Sequence, residues 1–213
     1  MTLGDHAQSF RLPMMSLFLA AATAAGSLWV AVMAGGSPLA TVGVDELHGY
    51  GGVAINDLLR LEVWRLVSAQ LIHAKIGHMA LNVVTLLLVG GTLERAIGAA
   101  RLLIVWLLGG GLATLISPIL VEAPWNIGTG ASQATFAFAG CLAVLILARA
   151  LKPAWAWFTV AMTLIPGLAL DFVFGGYPKP GHVAGLLLGV LFGLLFLSMP
   201  TKVTRRITQD GDQ

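Results

Sequence analysis

Charged residues are scarce in this chain. Asp, Glu, Lys and Arg make up only 10% of its 213 residues, whereas soluble proteins average roughly 25%. Hydrophobic residues make up 57%, and the mean hydropathy is +0.87. This composition excludes a cytosolic globular enzyme and a disordered chain. The formal net charge of +2 is too small for a phosphate-binding surface, so it also excludes a nucleic-acid-binding protein.

The sequence also has little cysteine and lacks the common metal-binding motifs. Cys141 is the single cysteine, which excludes an internal disulfide framework and a cysteine-based metal site. No HExxH sequence offers ligands for a catalytic zinc ion. Asp171 is the one aspartate near an apolar segment, so paired catalytic aspartates are excluded as well. We therefore expect neither a metal ion nor a cofactor.

Long uncharged runs are what the sequence has instead. A helix that crosses a bilayer needs about 20 mostly apolar residues, and six runs approach or reach that length. They cover residues 14–34, 76–93, 102–121, 130–148, 153–170 and 183–200. The first run is too long for a signal peptide, whose apolar region has about 7–15 residues. The sequence thus predicts an all-α membrane domain of six helices over residues 14–200, between an N-terminal segment, 1–13, and a tail, 201–213.

Basic residues are distributed unevenly between the two sides of this bundle. One side carries eight Lys and Arg residues, and the other side carries four. The eight are Arg11, Arg95, Arg101, Arg149, Lys152, Lys202, Arg205 and Arg206, and the four are Arg60, Arg65, Lys75 and Lys179. Cytoplasmic connections carry an excess of Lys and Arg. We therefore predict that both termini are cytoplasmic.

One connection is long, and it joins the first two runs over residues 35–75. Its second half, 56–72, mixes apolar with charged residues. This pattern is typical of a segment that lies in the bilayer interface, with Trp64 at headgroup depth. A loop with a short helix is the alternative.

Polar residues at membrane depth are functional candidates, because they are costly to bury there. His78 and Asn82 are four residues apart, so they lie on one face of the second helix. Two donors that point the same way suit a developing oxyanion. For these two residues alone, a hydrogen bond between helices is the favoured alternative.

A serine and a histidine begin two further runs. Ser132 follows a glycine-rich stretch, and His182 precedes Gly185 and Gly189, whose spacing favours close helix packing. Each residue has a structural alternative, a helix N-cap for Ser132 and simple packing for His182. Both begin their runs on the predicted outer side, where they could form a nucleophile–base pair. No acidic third member is evident, so we predict a Ser-His dyad.

Taken together, these residues resemble the rhomboid intramembrane serine proteases over nearly the whole chain, in the family's bacterial six-helix form. The residues that carry the resemblance are Trp64, Arg65, His73, residues 78–82 (HMALN), residues 90–94 (GGTLE), residues 130–132 (GAS), Ala137, Gly140, His182, Gly185 and Gly189. The resemblance implies that Ser132 is the nucleophile and that His182 is the general base.

The resemblance also implies roles for neighbouring residues. His78, Asn82 and the backbone N–H of Ser132 would form the oxyanion hole, and Phe136 would pack on the His182 ring. The supporting glycines would be Gly130, Gly185 and Gly189. Glu62 would pair with Arg65 in the first loop, and the fifth helix with the loop around residues 175–178 would form a substrate gate. Gln133 departs from the glycine that usually follows the serine. This departure predicts either a narrower substrate cleft or a shifted oxyanion N–H in a protein that only binds.

The partners implied are a lipid bilayer and substrates with one or more membrane-spanning segments. The resemblance places the protein in the plasma membrane of a bacterium. The alternative is a catalytically inactive rhomboid-like protein that binds membrane clients. A transporter is disfavoured, because charged residues are nearly absent inside the runs and no internal repeat is visible.

Overall fold

The computed structural model describes residues 12–123, 126–149, 151 and 153–199, and the regular elements among them are helical. Residues 1–11 of the predicted N-terminal segment and the predicted tail, 201–213, lie outside the described residues. The described helices are α1 (Met14–Gly35), α2 (Val44–Gly49), α3 (Ile55–Leu59), α4 (Arg65–Leu71), α5 (Ile76–Ile97), α6 (Ala99–Ile119), α7 (Ser132–Leu147), α8 (Pro153–Gly175) and α9 (Pro180–Ser198). The predicted all-α class is confirmed.

Five of these helices, α1, α5, α6, α8 and α9, are long and apolar enough to cross a membrane. The fourth predicted span is shorter, because α7 has only 16 residues. At 1.5 Å per residue it is about 24 Å long, against a hydrocarbon core of about 30 Å. Thirteen of its residues are buried, so α7 is surrounded by other helices rather than by lipid. The six-span count stays a prediction.

The second predicted span ends too early, because α5 continues through a charged residue to Ile97. Glu94 accepts hydrogen bonds from the backbone N–H groups of Met15 and Ser16, at 3.0 and 2.8 Å, and from Ser16 Oγ at 2.7 Å. A carboxylate at a helix N-terminus satisfies free N–H groups and complements the helix dipole. The charge is therefore bound internally and does not mark a helix end.

The amphipathic part of the first loop forms two short helices, α3 and α4, rather than one. The chain turns between them at Leu61, whose φ of 63° lies in the left-handed region. Leu59 and Leu61 are each 82% exposed, and Trp64 is 52% exposed. Their contact with the bilayer interface stays a prediction.

Side chains at both ends of α1 fix how the helices run. At its beginning Ser16 contacts Glu94 near the end of α5, and near its other end Ser27 contacts His73 just before α5. Thus α1 and α5 are antiparallel neighbours. The α5 and α6 helices each include a π-helical segment, Leu86–Gly90 and Val105–Gly110, and both segments pack on α7. The core of the protein therefore lies around α7.

Candidate active site

Ser132 is the first residue of α7, and a tight turn places it there. Gly130 has a φ of 96°, which residues with a side chain rarely adopt. Its N–H donates to the carbonyl oxygen of Ala69 at 2.8 Å, which ties the turn to α4. The first N–H groups of a helix have no partner inside the helix, so the hydroxyl of Ser132 lies beside free donors.

His182 lies in the first turn of α9 and contacts Ser132 directly. Its Nε2 is 2.8 Å from Ser132 Oγ. The two residues are only 4% and 6% exposed. The Phe136 ring stacks on the His182 ring with a centroid distance of 4.3 Å and an interplanar angle of 13°. Phe136 also lies against Gly167 of α8, where a Cβ atom would collide with the ring.

Glycines allow α7 and α9 to approach closely enough for this contact. A Cβ atom on Gly185 would fall on the carbonyl oxygen of Gln133, and one on Gly189 would fall on the carbonyl oxygen of Ala137. Further along, Gly193 packs on the side chain of Val144. The contacts advance along both helices in the same direction, so α7 and α9 are parallel. Their first residues therefore meet at one end of the bundle.

Asp171 is the site residue that the sequence did not predict. Its Oδ2 atom lies 2.6 Å from His182 Nδ1 and accepts the Lys179 backbone N–H at 3.0 Å. The aspartate is 1% exposed. The expectation that no acidic residue reaches the histidine is therefore wrong. The fifth predicted span ends at residue 170, but α8 continues to Gly175, which carries Asp171 into the bundle.

His78 and Asn82 lie on α5, and His78 is next to the turn before Ser132. A Cβ atom on Gly130 would be 3.5 Å from His78 Cε1, so the His78 ring borders the glycine turn. Asn82 is 2% exposed, and its Nδ2 donates to the carbonyl oxygen of His78 at 3.0 Å. This bond uses one of the two amide hydrogens.

His73 supports the turn before Ser132 through a hydrogen bond to the backbone. Its Nε2 accepts the backbone N–H of Ala131 at 3.2 Å, so its hydrogen is on Nδ1. Nδ1 lies 3.0 Å from Ser27 Oγ, which donates in turn to the carbonyl oxygen of Leu71 at 3.0 Å. Burial holds the pKa of His73 well below its usual value of 6.5, and the neighbouring His78 lowers it further. His73 is therefore a neutral structural residue, which binds the chain immediately before the serine.

Gln133 lies beside the serine and is 4% exposed. Its Oε1 is 3.3 Å from Ser132 Oγ. A hydroxyl has a single hydrogen to donate, and the contact with His182 is shorter by half an ångström. The Gln133 side chain therefore occupies the space next to Ser132 Oγ and competes weakly for its proton.

The first loop is held against the serine turn by a polar network. Arg65 pairs with Glu62, and it donates to the carbonyl oxygens of His48 and Gly52 at 2.7 and 2.9 Å. Asp57 accepts the backbone N–H of Ala54 at 2.7 Å. Burial raises the pKa of Asp57, but this bond and the charges of His48 and Arg65 outweigh it, so the pKa lies below its usual 3.8.

This network fixes the strand-like segment that reaches the site. Val53 and Gly128 exchange two backbone hydrogen bonds of 3.0 and 2.7 Å. Asn126 lines a cavity of about 270 Å³ with Asn56 and Ile119. The first loop therefore positions the segment before Ser132 but leaves Asn126 outside the group of residues around the serine.

Comparison with known proteins identifies several relatives. RHOMBOID-like protein 1 of Arabidopsis thaliana is 30% identical over 146 residues, which are 65% of this chain and 36% of that protein. RHOMBOID-like protein 4 of the same plant is 28% identical over 157 residues, 72% of this chain and 39% of that protein. Rhomboid protease GluP of Bacillus subtilis is 28% identical over 157 residues, 73% of this chain and 30% of that protein. The chain thus spans well under two thirds of the length of these relatives.

A family model covers most of the described bundle. Residues 60–199 match the model of the Rhomboid domain. The matched range contains all the residues around Ser132 except those contributed by α1 and the beginning of the first loop. Because the match covers more than half of the chain, this protein belongs to the Rhomboid family.

Proposed function

We propose that this chain is an intramembrane serine endopeptidase, which hydrolyses peptide bonds in or near the membrane-spanning segments of other proteins. The observation that carries the proposal is the 2.8 Å distance between Ser132 Oγ and His182 Nε2. A serine hydroxyl is a weak nucleophile until an adjacent base takes its proton. Family membership, and a relative named rhomboid protease, support the same activity.

The reaction follows the general course of serine proteases. Ser132 Oγ attacks the carbonyl carbon of the scissile bond while its proton passes to His182 Nε2. The tetrahedral intermediate then collapses, the C–N bond breaks, and His182 gives the proton to the leaving amine. Water, deprotonated by His182, hydrolyses the acyl ester on Ser132 and restores the free hydroxyl.

The oxyanion of the intermediate needs donors beside Ser132. The backbone N–H of Ser132 lies at the positive end of α7 and has no partner within that helix. His78 borders the turn at Gly130, and Asn82 has a second amide hydrogen available. We assign these three groups to the oxyanion hole.

The proposed substrates are single-span or other membrane proteins. A membrane helix hides its scissile bonds, because each backbone group is already hydrogen-bonded within the helix. A segment with helix-breaking Gly or Pro is easier to unwind into the site. The site lies where α5, α7 and α9 begin, so we expect cleavage near one membrane surface rather than at the bilayer centre.

The membrane arrangement is part of the proposal. The excess of Lys and Arg on one side supports cytoplasmic termini and an active site near the outer surface. We propose the plasma membrane of a bacterium, with residues 14–200 as the membrane domain and with segments 1–13 and 201–213 in the cytoplasm.

Labelling with a serine-directed phosphonate tests the chemistry directly. We expect the detergent-solubilised wild type to react and to cleave at least one member of a panel of single-span substrates. Ser132→Ala and His182→Ala should lose both properties, with at most a residual rate from the oxyanion hole. Ser198→Ala is the matched control, because this exposed hydroxyl donates only to the carbonyl oxygen of Leu195. Normal cleavage by Ser132→Ala would contradict the mechanism.

A client-binding protein without catalysis is the alternative, and the position of Gln133 is the observation that favours it. Gln133 occupies the space beside the nucleophile. In an active enzyme, Gln133→Gly and Gln133→Ala should both widen the range of substrates that are cut. If only these variants cut or react with the phosphonate, the wild type is the binding protein.

A further inference from the structure

We propose that Asp171 is the positioning residue for His182, so that the site works as an Asp-His-Ser triad rather than as a dyad. This inference rests on the proposed protease function. The carboxylate holds the hydrogen of the imidazole on Nδ1, which leaves the lone pair of Nε2 free to receive the proton of Ser132.

The geometry of the contact carries the proposal. Asp171 Oδ2 lies 2.6 Å from His182 Nδ1, while His182 Nε2 lies 2.8 Å from Ser132 Oγ. The two nitrogens of the His182 ring therefore contact partners with different hydrogen-bonding roles, a carboxylate on Nδ1 and a hydroxyl on Nε2. A carboxylate can only accept, so Nδ1 must donate. Nε2 is then the acceptor, as a general base for a serine hydroxyl must be.

The carboxylate is itself fixed in place. It is 1% exposed, and the Lys179 backbone N–H binds the same oxygen, Oδ2, at 3.0 Å. The Lys179 ammonium is 3.8 Å from Oδ1, but this side chain is 48% exposed, so solvent screens its charge. Hydrogen bonds to a charged group, such as the one between His182 Nδ1 and Asp171 Oδ2, are short and strong. When His182 gains the proton of Ser132, the buried negative charge stabilises the imidazolium.

The His182 ring is also restrained across its faces and along the chain. Phe136 stacks on it at 4.3 Å, and the His182 N–H donates to the carbonyl oxygen of Lys179 at 2.9 Å. The stacked phenyl ring fixes the plane of the imidazole but has no preference between its two nitrogens. The choice of tautomer therefore depends on Asp171.

A purely structural role for Asp171 predicts different behaviour. The Lys179 N–H bond ties α8 to the start of α9, and it uses the same oxygen, Oδ2, that contacts His182 Nδ1. An asparagine carbonyl in that place could keep both bonds, but it carries no charge to stabilise the imidazolium. An asparagine amide in that place would lose the Lys179 bond, donate to Nδ1 and move the ring hydrogen to Nε2, and that tautomer cannot accept the serine proton. In both orientations the isosteric change should weaken the base while largely preserving the fold.

The test compares Asp171→Asn with wild type, Ser132→Ala and Ser198→Ala in the same cleavage assay. In a Ser-His-Asp protease this change lowers kcat by about 10⁴, and we expect a loss of at least ~10² here with KM little changed. Ser198→Ala removes an exposed hydroxyl that donates only to the carbonyl oxygen of Leu195, so this variant should stay close to wild type. A kcat for Asp171→Asn within about threefold of wild type would overturn the triad.

A second measurement on the unaltered protein keeps the proposal testable if Asp171→Asn does not fold. Nitrogen NMR of histidine-labelled protein reports which ring nitrogen carries the hydrogen, and His182→Gln assigns the signal. We expect Nδ1–H for His182, and an Nε2–H tautomer would contradict the proposal. If wild type neither cleaves nor reacts with the phosphonate, the protease function has failed. If wild type cleaves and Asp171→Asn cleaves equally well, only the triad has failed.

Discussion

Asn82 is the single residue whose chemical role is most directly open to kinetic measurement. Its amide donates one hydrogen to the carbonyl oxygen of His78 and keeps the other. If the second hydrogen binds the oxyanion, Asn82→Ala should lower kcat by about 10²–10³ and leave KM nearly unchanged. Thr85→Val is the control, because this hydroxyl, one turn along α5, bonds only to the backbone. A change in KM alone would instead support a hydrogen bond between helices.

The same scale shows how much of the site the sequence can predict. Ser132 and His182 stand out because polar side chains are costly within apolar runs. Asp171 does not stand out, because it lies at the predicted end of a run, where an acidic residue is ordinary. Its partner, His182, is 11 residues away and lies on the next helix. The spacing of residues along a single helix therefore does not connect the two. The sequence therefore yields the proposed nucleophile and its proposed base, while Asp171, which we propose orients the base, emerges only from how α8 meets α9.

At the level of elements, the closest helix pair of the site depends on glycine. A methyl group on Gly189 would fall on the carbonyl oxygen of Ala137, and backbone atoms cannot move aside cheaply. We expect Gly189→Ala to destabilise the protein by about 1–3 kcal/mol, the usual range for overpacking. The measurement is the unfolding midpoint in detergent. The proposed cleavage activity should also fall, because α9 carries His182.

Gly77→Ala is the matched control for this change. Gly77 is also helical, but nothing lies within 4 Å of the position that its Cβ atom would take. Alanine is the better helix former by about 1 kcal/mol, so this variant should be as stable as wild type or more stable. Equal loss of stability in both variants would show that the close approach of α7 and α9 is not the cause.

At the scale of the whole molecule, the sequence places a helix in each long apolar run, but it does not give the helix bounds. Apolar runs indicate each helix, since a bilayer demands length and hydrophobicity. From the sequence, a charged residue indicates the end of an apolar helix. In the structure α5 continues past Glu94, because the N-terminus of α1 binds this carboxylate. The sequence also does not show that α7 lies at the centre of the bundle. Its composition resembles that of the lipid-facing helices, and only the surrounding packing shows that it is buried.

The shortness of α7 makes the number of membrane crossings the main open prediction for the whole chain. Leu59 lies between α1 and α5, and Tyr177 lies between α8 and α9. If α7 crosses the bilayer, four crossings separate these two residues, and they lie on the same side. If it does not, three crossings separate them. The parallel packing of α7 along α9, from Gln133 to Val144, favours a crossing.

Single introduced cysteines decide between these arrangements. Leu59 and Tyr177 are 82% and 50% exposed, and the native Cys141 is fully buried, so it should not react. We expect Leu59→Cys and Tyr177→Cys to react with a membrane-impermeant maleimide on intact cells. Ala100→Cys, at the exposed start of α6, should react only after permeabilisation, because the basic residues place that connection in the cytoplasm. Wild type is the control. If only Ala100→Cys is labelled on intact cells, the orientation is the opposite of the one predicted. If Leu59→Cys and Tyr177→Cys are labelled from opposite sides, α7 does not cross the bilayer.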